Sequence, residues 1–62
     1  MKKRDVEKAL KQLGWWRRRQ GARHEIWTNG REQEPLPRHN EIIESLARKI
    51  LRTARQFPGK GR

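Results

Sequence analysis

His24 and His39 are the only histidines of the chain, and His24 lies in the run Arg17 to Gly30, RRRQGARHEIWTNG. An imidazole with an ordinary pKa of about 6.5 populates both protonation states near neutrality, so it serves as general acid or general base. A guanidinium presents a planar fork that pairs with phosphate oxygens and stabilises charge building on phosphorus. His24 is therefore the candidate acid–base group, with Arg19 and Arg23 as candidate phosphate clamps. Arg17 and Arg38 are further cations that the fold could bring near it. A lone histidine on a strand is more commonly a solvated or hydrogen-bonded residue, and the local residues by themselves leave both roles open.

The neighbouring titratable groups carry less. His39 sits between Pro37-Arg38 and Asn40, where a structural role in a turn fits best, with at most a minor part in substrate contact. Glu25 follows His24 directly, and consecutive strand residues point to opposite faces, which makes it a poor orienting carboxylate. Two histidines fifteen positions apart, with no cysteine and few nearby acids, form a poor metal-ligand set. The residues call for no metal and no cofactor.

The elements that must position His24 follow from periodicity. Val6, Ala9, Leu10 and Leu13 share one face of a first helix, with Lys2, Lys3, Lys8 and Lys11 on its solvated side. Asp5 suits a cap or a first-turn acid, and Gly14 suits a stop. Trp15 to Gln20 reads as a strand with Trp15, Arg17 and Arg19 on one face and Trp16, Arg18 and Gln20 on the other. Gly21-Ala22 supplies a turn, and His24 to Thr28 forms a second strand that ends at the two-residue hairpin signal Asn29-Gly30. Glu32 to Leu36 is a third extended piece, closed by Pro35 and Pro37, and a proline inside it argues for an edge strand or an irregular one. Leu46, Ala47, Ile50, Leu51 and Ala54 mark a second helix, fed by Ile42 and Ile43, with Asn40 and Ser45 as alternative caps and Phe57-Pro58 as its end.

Helix, three strands and helix give an α+β fold with two helices packed on one face of a three-stranded antiparallel sheet. Residues 1–57 form its single domain and residues 58–62 a flexible basic tail. The other sheet face is left open. Trp27 is predicted to point to the helices, which turns His24 and Ile26 outward. Trp15 is predicted to be core as well, leaving Trp16 the freer of that pair.

Composition limits what such a fold can bind. Seventeen Lys and Arg oppose seven Asp and Glu, a net charge of +10 on 62 residues. A field of that sign attracts polyanions, nucleic acid first and an acidic protein second. With 31% hydrophobic residues the core is small, as expected for a chain of this length. The absence of cysteine fits a reducing compartment, the cytoplasm, and no apolar run reads as a signal peptide or membrane span.

Gly14-Trp15, Arg19-Gln20, His24 and Trp27, then Pro37-Arg38-His39 and Leu46 to Leu51 (LARKIL), follow in an order and spacing that resembles HicA-type toxins of bacterial and archaeal toxin–antitoxin pairs. The resemblance runs from the first helix to about Ala54. It implies a double-stranded-RNA-binding-domain-like αβββα fold and a metal-independent endoribonuclease that cleaves single-stranded or unstructured messenger RNA. It also implies a HicB-like antitoxin that covers the active site, and it puts His24 at the catalytic histidine. Cleavage of this kind needs a base for the 2′-hydroxyl proton, an acid for the departing 5′-oxygen and cations for the phosphorane, which suits His24 among arginines. The chain departs from the family pattern at Ala22 and Arg23, where Gly and then Ser or Asn are usual, and at Arg17 and Arg18, where apolar residues are usual. A non-catalytic RNA-binding module and a basic protein-interaction domain are the competing functions.

Overall fold

A computed structural model describes residues 1–20 and 23–59. Five elements follow in the order expected: α1 (Lys3–Gln12), β1 (Trp16–Gln20), β2 (His24–Thr28), β3 (Gln33–Pro37) and α2 (Glu44–Gln56). The strands form one antiparallel sheet in the order β1-β2-β3. Val6 and Leu10 of α1, Trp15, Trp27 and Leu36 of the sheet layer, and Ala47, Ile50, Leu51 and Ala54 of α2 make a single core. The fold is the α+β, double-stranded-RNA-binding-domain-like αβββα arrangement. The Gly21-Ala22 turn lies outside the described residues.

Asp5 is a first-turn acid of α1, which suits the positive end of the helix dipole. At the other end, the Gly14 N–H donates to the Lys11 carbonyl at 3.0 Å and the Trp15 N–H to the Leu10 carbonyl at 2.9 Å. This is the paired closure of a Schellman motif, and Gly14 supplies its left-handed residue at φ +84°. The motif also delivers Trp15 into the core beside Leu10.

The start of α2 differs from expectation. Ile43 occupies the cap position and no side chain caps the helix, so neither Asn40 nor Ser45 serves. Residues 40–42 are already committed elsewhere. Lys3 N–H donates to the Asn40 carbonyl at 2.9 Å, and Ile42 N–H donates to the Met1 carbonyl at 2.7 Å. The Met1 ammonium returns a bond to the Ile42 carbonyl at 3.0 Å, and Lys2 bridges Glu41. These bonds hold the segment extended and bury Ile42, so helical geometry begins only after it.

The β2–β3 connection also differs from a two-residue hairpin. Thr28 pairs with Gln33, leaving a four-residue loop over 29–32. The Asn29 side chain organises it, accepting from the N–H groups of Arg31 at 2.7 Å and Glu32 at 2.6 Å. An Asx turn of this type competes with the tighter turn that Asn-Gly would otherwise favour.

The chain end is fastened to this loop and to α1. The Phe57 carbonyl accepts from Trp15 Nε1 at 2.9 Å and from Asn29 Nδ2 at 2.7 Å. The Gly59 N–H donates to the Leu13 carbonyl at 2.8 Å. Of the tail expected from residue 58, Gly59 is thus tied to the end of α1, and residues 60–62 lie outside the described residues. A Cβ on Gly14 would land on the Gly59 carbonyl as well as straining a left-handed backbone. Gly14→Ala is therefore expected to lower unfolding stability by at least about 1–2 kcal/mol. Urea unfolding followed by circular dichroism measures this, and an unchanged midpoint would contradict the role given to Gly14.

Candidate nucleic-acid face and its histidine

β2 alternates over its first four residues as a half-buried strand should, while Thr28 at its end is buried against the β2–β3 loop. Glu25 and Trp27 are buried toward the helices, His24 is exposed on the other face, and Ile26 beside it is half-buried. Trp27 thus takes the inward position and His24 the outward one, because the core needs the indole more than it needs Ile26. On β3, His24 pairs with Pro37, Ile26 with Pro35 and Thr28 with Gln33, so these residues share the open face.

β1 does not alternate regularly. Its register to β2 shifts between Arg17 and Arg19, which makes Arg18 the extra residue of a β-bulge. Arg17 is paired with Trp27 on the helix side, whereas Arg19 is paired with Ile26 on the open side. The expected grouping of Trp15, Arg17 and Arg19 on one face is corrected accordingly. A regular strand would carry Arg19 inward behind Arg17, toward an apolar layer. The bulge returns it to solvent instead, two residues along the ladder from His24, a diagonal of about 7–8 Å that a long side chain spans.

The remaining candidates divide in the same way. Arg23 is exposed immediately before β2. Arg38 and His39, both exposed, leave β3 directly after Pro37, at the end of the sheet where His24 sits. His24 and Arg19 therefore share the open face, and Arg23, Arg38 and His39 lie exposed at the same end of the sheet. Arg17 is separated from them by the sheet: its guanidinium lies 3.5 Å from the Glu25 carboxylate.

Glu25 is the residue that sequence reasoning undervalued. Its carboxylate is buried and accepts from Lys3 Nζ at 3.0 Å and from Trp27 Nε1 at 3.2 Å, with Arg17 alongside. Lys3 also pairs with Glu7 at 2.7 Å. Burial pushes the Glu25 carboxyl up, but the bonds from Lys3 and Trp27 and the charges of Lys3 and Arg17 outweigh it and hold its pKa below 4.5. Burial likewise pulls Lys3 down, and its two carboxylate partners overcome that and raise it above 10.5. One signal was available in the sequence. An inward Trp27 needs an acceptor for its indole N–H, and Glu25 is the same-face neighbour two residues away.

Fold and face together define a small basic αβββα protein with a solvent-facing histidine flanked by arginines. Residues 4–56 match the family model described as HicA toxin of bacterial toxin–antitoxin, and the chain belongs to this family. It is thus a toxin of a toxin–antitoxin system, whose partner is an antitoxin. No curated protein and no solved structure matches the chain. Among the described residues no helix is long and apolar enough to cross a membrane.

The Glu25 network predicts a specific pH dependence. Because its folded pKa is lowered, the stability Glu25 contributes is complete above 4.5 and is lost as the pH falls through the lower folded value. Glu25→Gln is expected to lose about 1–2 kcal/mol near neutrality, since Lys3 keeps its pairing with Glu7. The gap to wild type should then close in acid, where the native carboxyl is itself protonated. Urea midpoints of both proteins across that range give the test, and a gap independent of pH would refute it.

Proposed function

We propose that this toxin is a metal-independent endoribonuclease that cleaves messenger RNA in the cytoplasm and so inhibits translation, and that a HicB-like antitoxin neutralises it by covering the open sheet face. The observation that carries the proposal is His24, exposed on the face opposite the core, with Arg19 diagonal to it and Arg23 directly before it. His24 acts on the 2′-hydroxyl proton or on the departing 5′-oxygen. The 2′-oxygen attacks the adjacent phosphorus, the bond to the 5′-oxygen breaks, and that oxygen leaves protonated. The products are a 2′,3′-cyclic phosphate and a 5′-hydroxyl. Arg19, Arg23 and Arg38 bind the phosphate and offset the charge of the phosphorane. Arg17 assists indirectly, since its cation is committed to Glu25. His39 has a structural place beside the site.

The sheet favours single strands for a physical reason. A sheet face with a line of side chains can receive splayed bases and a bending backbone, whereas a duplex keeps its base faces stacked. The net charge of +10 raises the local concentration of any RNA and makes binding salt-dependent.

Purified protein mixed with single-stranded RNA and a chelator should release fragments ending in a 2′,3′-cyclic phosphate. His24→Ala should lower the cleavage rate by about a hundredfold or more and abolish growth arrest on expression. Arrest by both forms with intact RNA would overturn the proposal. Salt-sensitive binding without cleavage would instead mark a non-catalytic RNA-binding module, and negligible RNA affinity with a tightly bound acidic partner would mark a protein-interaction domain.

A further inference from the structure

We propose that Trp16 is a nucleobase-stacking subsite for the RNA strand engaged at His24. The proposal rests on the assignment of the open face to RNA. Trp15 and Trp27 both belong to the core, and Trp16 does not. Trp16 is paired with Thr28, and its ring reaches toward the β2–β3 loop, where a Cβ on Gly30 would sit 3.5 Å from Trp16 Cη2. The indole is half-buried on the same face as His24.

This placement depends on the bulge at Arg18. In a regular strand Trp16 and Arg19 would point to opposite faces, because they are an odd number of residues apart. The shifted register gathers both onto the open face. Along β2 the face then presents His24, Arg19 beside Ile26, and Trp16 beside Thr28, at steps of two residues. His24 and the level of Trp16 are thus four residues apart, about 14 Å. A single strand whose scissile phosphate lies at His24 passes Arg19 with its next phosphate and arrives at Trp16 with an unpaired base. Ile26 and the exposed Pro35 provide apolar surface along the same track. Stacking on an aromatic ring accepts any base, so the subsite sets strand position and affinity more than sequence.

The test combines a protein change with an RNA change. Affinities for a fluorescein-labelled single-stranded RNA, and for the same strand carrying one abasic nucleotide at each successive position, are measured for wild type, Trp16→Phe and Trp16→Leu at fixed salt. Wild type should lose about tenfold at one abasic position beyond that due to His24 contacts, a loss within the range of one base–aromatic stack. Trp16→Leu should bind the intact strand about tenfold more weakly and be indifferent to the abasic change there, while Trp16→Phe keeps most of the affinity. Circular dichroism and urea unfolding verify that each variant is folded. If Trp16→Leu does not fold, Trp16→Phe and the abasic scan on wild type still decide. A scan on wild type with no sensitive position, or folded Trp16→Leu with wild-type affinity, overturns the subsite. Cleavage indifferent to Trp16 removes the subsite and leaves the nuclease, whereas Trp16-dependent binding without cleavage removes the nuclease and leaves the subsite.

Discussion

The buried carboxylate of Glu25 is the interaction on which the rest of this small protein depends. It brings Lys3 of α1 and Arg17 of β1 to β2 and satisfies the indole of Trp27. A charge taken out of water is tolerated only when it is paired and hydrogen-bonded, and the Lys3 and Trp27 donors with the Arg17 cation alongside meet that condition. The same contacts fix direction. Glu25 and Trp27 can both face the helices only if His24 faces away, so the network that holds the inner layer also presents the histidine to solvent.

The sheet therefore separates two kinds of chemistry. Its inner face carries Trp27, Leu36 and the compensated charges, while its outer face carries His24, Arg19 and Trp16 with a floor of Ile26 and proline. A chain with so many cations could not let them all repel one another across one surface. Arg17 is neutralised beneath the sheet, Lys49 leans toward Glu34 at 3.9 Å, and Arg48 pairs with Glu44 at 3.3 Å. Arg19 and Arg23 have no such partner among the described residues, and they are the cations nearest His24 in the chain.

Much of this was legible in the sequence, because the readable parts were those with few alternatives. The five elements and their order followed from periodicity, and the face of His24 followed from a two-way choice that the burial of Trp27 decided. The family was legible from the spacing of Gly14-Trp15, His24 and Pro37-Arg38-His39. What escaped was non-local. Asn29-Gly30 carries a tight-turn signal, yet the Asn29 side chain closes a longer loop and its amide holds the Phe57 carbonyl. Asn40 has the right type for a helix cap, but its carbonyl belongs to the pairing of the chain start with residues 40–42. The bulge at Arg18 has no glycine to announce it, and it arises from where Trp15, Arg17 and Arg19 can each be placed.

That bulge also gives a physical meaning to where the chain departs from its family. The positions usually apolar carry Arg17 and Arg18. Arg17 faces the helices, yet Glu25 waits for it there, so the cation replaces an apolar side chain without being stranded in the core. Arg18 is the extra residue of the bulge and is exposed, so it displaces no core atom. Arg23, at a position usually held by a small polar residue, is exposed directly before His24 and adds positive charge at that end of the sheet. Each of these three arginines thus raises the charge of the protein at a position where the fold supplies either a counterion or solvent, which is how a core this small accommodates so basic a sequence.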